Sequence, residues 1–468
     1  MGDFVSLVVL ALAALPVALL FLPRAQAIFA TAIVSGVSAT VAGVLHVATN
    51  VPIAVMWLVL LTACAVTIAA VPTLRAALIA NYREPIPFRE YLQLAIVGVV
   101  IVIVISFPPA PLAWDARSIW FFHASWLSAD ASAFIDGQTL KAVAFSHPNY
   151  PILGPASMAV SWGLAGGGEN LVLAQQVSAL LSILVAALGG SILVRRFAGN
   201  VNAVVATVGF ALFVTAALTV GDGLLNQGYM DALQASFIVA LLALLVVAIG
   251  ERMTPVRAGL ITLVAIGATA VKQEGFWFSV VVIAVFLVIT VRQQYLLKYA
   301  PLAGVLAFYG AWKLFLAAIG ASDTTDASGV AGRLPELLDP SSTAWSIIMR
   351  IATREFTYTI APLLLILVFS LAGAVLVTRR RTQVVRAALL IVLSVLGITG
   401  ITVLTYALGN TRDVIDWWLS SSFSRIFATV EYITWFAVFL GVLVISPWTD
   451  PTRLEDPANA SSQPARVA

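Results

Sequence analysis

Charge is the scarcest commodity in this chain. Only 10% of its 468 residues are Asp, Glu, Lys or Arg, against about 25% in a soluble globular protein. That scarcity excludes a water-soluble enzyme, a nucleic-acid-binding domain and a disordered scaffold. Cysteine occurs once, as Cys64 in an apolar run, so there is no internal disulfide and no cysteine-based metal cluster. Histidine occurs three times, at His46, His123 and His147, and no His, Cys, Asp or Glu grouping has metal-ligand spacing. No glycine-rich phosphate loop follows a strand pattern, so nucleotide hydrolysis has no support. The net charge of +3 does not point to nucleic acid either. In so apolar a chain, basic excess reports the loops on one side of a membrane.

What the chain has in abundance is apolar sequence: 61% of residues are hydrophobic and the mean hydropathy is +1.02. Runs of spanning length fall at 4–22, 28–47, 51–72, 92–107, 170–194, 201–220, 229–249, 256–271, 275–291, 299–319, 356–378, 387–409 and 428–446. The expected fold is an all-α polytopic membrane protein of about 13 transmembrane helices. Residues 150–166 are a further apolar stretch, short and interrupted by Pro151 and Pro155. If this stretch does not cross, 16 of the 25 basic residues share one side, among them Arg75, Arg83, Arg89, Arg195, Arg196, Arg292 and Arg386. Only six of the 22 acidic residues share it. The stretch is therefore expected to lie along the membrane surface. The amino terminus is then outside, the carboxyl terminus cytoplasmic, and the protein a multi-pass resident of the plasma membrane. Residues 447–468, rich in Pro, Ala and Ser, read as a disordered cytoplasmic tail.

The remaining polar residues gather on the outer side. The first large outer loop, 108–169, opens on Trp114-Asp115 and later carries His147-Pro148-Asn149-Tyr150-Pro151. A carboxylate held among indoles at the lip of a bilayer is partly desolvated, and desolvation makes a carboxylate a better base. The plainer alternative is an interfacial tryptophan belt with Asp115 paired to Arg117. Tyr229-Met230-Asp231 opens a later span, and Lys272-Gln273-Glu274-Gly275 joins two spans by a tight turn. Charges in an apolar hairpin are costly unless paired or used, and a structural Lys272–Glu274 pair is the alternative there. The last outer loop holds Trp417-Trp418-Leu419 and, further on, Arg425, whose guanidinium suits either a phosphate diester or a carboxylate such as Glu431.

In this order and on this shared side, the motifs resemble those of the GT-C superfamily of membrane glycosyltransferases, which use polyprenyl-phosphate-linked sugars. Members show a Trp-Asp early in the first outer loop and, in many bacterial cases, a His-Pro-Asp-Tyr-Pro box later in it. A Tyr-Ala-Asp, a Lys-Asn-Glu-Gly turn and a Trp-His-Leu…Ser…Arg stretch follow. The likeness covers residues 92–446 and makes 1–91 an amino-terminal extension of three spans with a cytoplasmic linker. It also implies juxtamembrane helices within 108–169. Asn149, Gln273 and Trp418 depart from the pattern, and no large soluble carboxyl-terminal domain follows.

The resemblance implies transfer of a sugar to an acceptor hydroxyl on the extracytoplasmic face, with inversion. In that reading Asp115 is the general base, and Lys272 and Arg425 bind the donor phosphate. Asp231, Glu274, His147, Asn149, Tyr150, Tyr229, Trp114 and Trp417 bind sugar or acceptor. The partners are the lipid-linked donor, the lipid bilayer and an envelope glycan, glycolipid or protein acceptor, with no nucleic acid. The sequence requires no cofactor or metal, and the use of a divalent cation stays open. Two rival readings are a flippase or transporter of lipid-linked sugars and a non-catalytic GT-C-like assembly subunit.

Overall fold

A computed structural model describes residues 2–106, 114–197, 203–219, 227–249, 251–293, 296–321, 332–377, 381–409 and 414–445. The expected tail 447–468, the first residues of the outer loop, and Arg379, Arg380, Arg412, Arg453 and Arg466 lie outside these.

Every described secondary-structure element is helical. Among the described residues eight helices are long and apolar enough to cross a bilayer: Arg24–Thr49, Ile53–Ala70, Phe88–Ser106, Leu171–Phe197, Asp231–Ala248, Leu296–Ala318, Thr382–Gly409 and Arg425–Val444. Five shorter apolar helices occupy the remaining runs: Gly2–Ala18, Val204–Ala216, Pro255–Val271, Gln273–Ile289 and Ala361–Leu376. The first of these breaks near Pro16, which has no N–H for the helical ladder.

Leu171–Phe197 and Asp231–Ala248 pack on each other and form the centre, buried along almost their whole length. Both are hydrophobic all round, the pattern of a helix enclosed by other helices. Arg24–Thr49 and Ser424–Ile445 pack against this central pair, as do Pro255–Val271, Phe88–Ser106 and Ala203–Thr219. Several helices turn apolar side chains away from the protein. Val99, Val102 and Ile103 are exposed on Phe88–Ser106, Leu365 and Phe369 on Ala361–Val377, and Leu389, Leu393 and Leu396 on Arg381–Gly409. An apolar exterior of this extent matches lipid rather than water.

Residues 150–166 are more enclosed than expected. Leu153–Leu164 forms a helix whose residues Leu153 to Trp162 are all buried. It is enclosed by Gly2–Leu12, Arg24–Thr49, Ile53–Ala70, Phe122–Ala129 and Leu171–Phe197. From Leu153 to Trp162 it leaves no face free of protein. The reason is bare backbone on Arg24–Thr49: a Cβ added at Gly36 or Gly43 would come within 2.9 Å of Leu153 or Ile152, so glycine there admits the helix. Ser157 and Ser161 satisfy their hydroxyls on carbonyls of their own helix, which lets a polar-looking face be buried.

Charged residues at one end of the bundle pair with each other. Arg195 contacts Glu84 and Glu90, and Glu251 bridges Arg196 and Arg257. Asp115, Asp231, Lys272, Glu274 and Arg425 lie at the other.

Candidate functional site

Asp231 opens the helix Asp231–Ala248, where its negative charge meets the positive end of the helix macrodipole. Lys272 stands at the junction between Pro255–Val271 and Gln273–Ile289, in extended backbone that turns the chain back on itself. The turn is tight enough that a Cβ at Gly275 would lie 1.9 Å from the Ala268 carbonyl oxygen, so only glycine fits. This close hairpin carries Lys272 to Asp231: Nζ donates to Oδ1 at 2.8 Å, with both side chains under a tenth exposed. Glu274 lies 3.8 Å from the same ammonium. The sequence alternative of a Lys272–Glu274 pair is thus the weaker half of a three-residue cluster led by Asp231.

A second pair joins the first and last motifs. Arg425 Nη1 donates to Asp115 Oδ2 at 2.5 Å across 310 residues of sequence, and its Nε donates to the Ser421 carbonyl. Asp115 therefore does not pair with Arg117, which is exposed. The guanidinium also stands 4.7 Å from the centre of the Tyr229 ring, a cation–π contact. Wide π-helical turns flank this pair: Ala116–Phe121 begins just after Asp115 and Leu419–Phe423 ends just before Arg425. Such turns re-aim side chains out of the ordinary helical register and recur at functional sites.

The two pairs belong to one site. Asp231 feels both Lys272 and Arg425 electrostatically, and Tyr229 reaches Arg425 from only two residues before Asp231. Trp120 stacks on Tyr150 with ring centres 5.5 Å apart, and Lys272 Nζ is 6.0 Å from each ring. The Tyr150 hydroxyl donates to Glu274 at 3.4 Å, and burial pushes that phenol up. His147 stacks on Tyr150 at 4.9 Å and adopts φ of 53°, a left-handed turn that redirects the chain before Pro148. Burial pushes its imidazole down, with Glu274 pulling the other way. Asn149 is buried, donates to Gln273 at 3.4 Å, and its carbonyl accepts from the Trp312 indole at 3.1 Å.

Within this cluster Asp231 Oδ2 and Glu274 Oε2 are buried and have no hydrogen-bond donor. Buried carboxylate oxygens without donors are uncommon and costly. Set beside a lysine and an arginine, they form a site with acceptors for hydroxyls and cations for a phosphate.

Of the residues proposed from sequence, Asp115, Tyr229, Asp231, Lys272, Glu274 and Arg425 come together, with His147, Asn149 and Tyr150 packed beside them. Trp114 and Trp417 do not join them. Both are about two-thirds exposed; Trp114 lies near Phe145 and Trp417 packs edge-on against Trp418. Sequence reading missed Tyr309 and Trp312, which sit in an apolar run and reach Gln273 and Asn149. It also missed Tyr406, whose hydroxyl meets Ser422 at 2.7 Å just before Arg425. Their one signal was polar-tipped aromatics inside spans. Among the described residues no three His, Cys, Asp or Glu side chains gather as a metal would need.

Compared with protein-family models, with curated proteins and with solved structures, the chain matches none.

Proposed function

We propose that this protein is an integral membrane glycosyltransferase that moves a sugar from a polyprenyl-phosphate donor to an acceptor hydroxyl at the outer end of a thirteen-span bundle. The observation that carries the reading is the meeting of Asp115–Arg425 with Asp231–Lys272–Glu274, four sequence-distant motifs in one partly buried cluster. Two cations there are suited to a lipid phosphate, and Asp231 Oδ2 and Glu274 Oε2 are suited to hydroxyl donors.

In this mechanism the donor phosphate draws the Arg425 guanidinium from Asp115, and Lys272 adds the second positive charge. Asp115, released from its partner, takes the proton of the acceptor hydroxyl as that oxygen bonds to the anomeric carbon. The bond from the anomeric carbon to the phosphate oxygen breaks with its electron pair. The leaving lipid phosphate keeps that charge, stabilised by Lys272 and Arg425. A single displacement inverts the anomeric centre.

A non-catalytic, ion-paired lock has one observation in its favour: each cation already faces a carboxylate. An assay of the purified protein with a panel of polyprenyl-phosphate sugars separates the readings. Release of lipid phosphate, coupled to sugar transfer, is the expected result. Movement of intact lipid-linked sugar across a vesicle without release makes the protein a flippase. Neither activity leaves the lock.

A further inference from the structure

At the far end of Gln273–Ile289 from Lys272 lies a cavity of about 220 Å³, lined by Ile289, Thr290, Val291, Arg292, Gln293 and Arg386. Seventeen residues of helix put it roughly 25 Å from the candidate site, so it is separate from the chemistry proposed above.

The arginines at this end outnumber the carboxylates that pair with them. Glu84, Glu90 and Glu251 are taken by Arg195, Arg196 and Arg257. Arg292 and Arg386 have no carboxylate partner among the described residues. A helix carboxyl terminus normally repels anions, yet here buried Lys298 accepts that burden. Its Nζ donates to the carbonyls of Thr290 at 2.9 Å, Val291 at 3.4 Å and Gln293 at 2.6 Å. The carbonyls are neutralised from one side, leaving Arg292 and Arg386 as the charged residues of the lining. Forked guanidinium donors suit the oxygens of a phosphate. Val291 in the lining, and Val288 and Leu296 on either side of it in sequence, are 68%, 70% and 87% exposed. This rim offers apolar chains a surface that a free phosphate ion would not use.

We propose that this cavity binds the phosphate headgroup of an anionic phospholipid, with Arg292 and Arg386 on the phosphate and the Val288–Val291–Leu296 rim against the acyl chains. The test incubates the full-length protein, in detergent, with phosphatidylcholine micelles with or without phosphatidylglycerol. Native mass spectrometry then counts retained lipid. Phosphatidylglycerol should be retained over phosphatidylcholine and should raise the melting temperature. The double variant Arg292→Gln/Arg386→Gln should cut that retention about tenfold or more, leaving phosphatidylcholine unchanged. Arg83→Gln, at an exposed arginine of the same end, should leave it intact. Equal retention by the double variant, or an equal loss with Arg83→Gln, overturns the site. If the double variant does not fold, the comparison moves to Arg292→Gln alone, where undiminished retention has the same meaning. Inorganic phosphate that raises the melting temperature of the wild type, with no phosphatidylglycerol retained, assigns the cavity to free phosphate and overturns the lipid.

Discussion

The two ends of the bundle hold their charged pairs in different surroundings. At one, Arg195 reaches Glu84 and Arg196 reaches Glu251 with side chains about a third exposed. Water and salt screen such pairs, and each is worth at most about 1 kcal/mol. At the other, Lys272 and Asp231 are 8% and 4% exposed, and Arg425 meets Asp115 across the whole fold. Burying charges costs several kcal/mol apiece unless they are paired. With so few charges, the protein nevertheless buries Lys272 and Asp231 and sets the partly buried Glu274, Arg425 and Asp115 beside them. The difference teaches that what separates the two ends is whether both partners of a pair are buried, not the presence of an ion pair or its separation in sequence.

The sharpest way to break this contrast is to orphan one buried charge. Lys272→Met leaves Asp231 buried without its cation and should cost about 3–5 kcal/mol, seen as a large fall in melting temperature in micelles. Adding Asp231→Asn to it should restore most of the loss, and no recovery would mean that the lysine packs rather than pairs. Next in size is Asp115→Asn, which keeps the side-chain shape and a hydrogen bond to Arg425. Sugar transfer should fall by about a hundredfold or more with folding unchanged, and near-normal transfer removes Asp115 as the base.

A third test uses pH. His123 is fully buried in the helix Phe122–Ala129, and burial pushes its imidazole down from 6.5 to about 3. Its folded state therefore binds fewer protons than the unfolded chain between these values. The stability that comes from holding it neutral is complete above the unfolded value and is lost as pH falls toward the folded one. Acidifying from about pH 7 to about pH 5 should remove about 2 kcal/mol, and His123→Gln should flatten that slope in thermal unfolding. Smallest of all, Glu84→Gln at the opposite end should change stability by less than about 1 kcal/mol; a larger loss would erase the distinction between the ends.

The helices were legible because lipid demands long apolar runs, and each of the thirteen runs hosts a helix. The enclosure of 150–166 was not legible for a related reason. A short apolar segment with prolines looks superficial until Gly36, Gly43 and Ala54 are seen to receive it. In the site, Asp231 and Lys272 stood out as charges in apolar surroundings, and they pair. The Asp115–Arg425 pair was not legible, since each residue had a nearer candidate in Arg117 or Glu431. The π-helical turns flanking it left no mark in residue spacing either.

By itself, then, the sequence determined the environment and the candidates. Sparse charge and long apolar runs dictate helices suited to a bilayer, and the few polar residues within them are too costly to be incidental. Only the tertiary structure decided who meets whom. Hydrophobic pattern records that a side chain is buried, but not which helix lies opposite, and that choice rests on the close packing of small residues across interfaces. It brought Arg425 to Asp115 and Lys272 to Asp231, and it left Arg292 and Arg386 facing a cavity of their own.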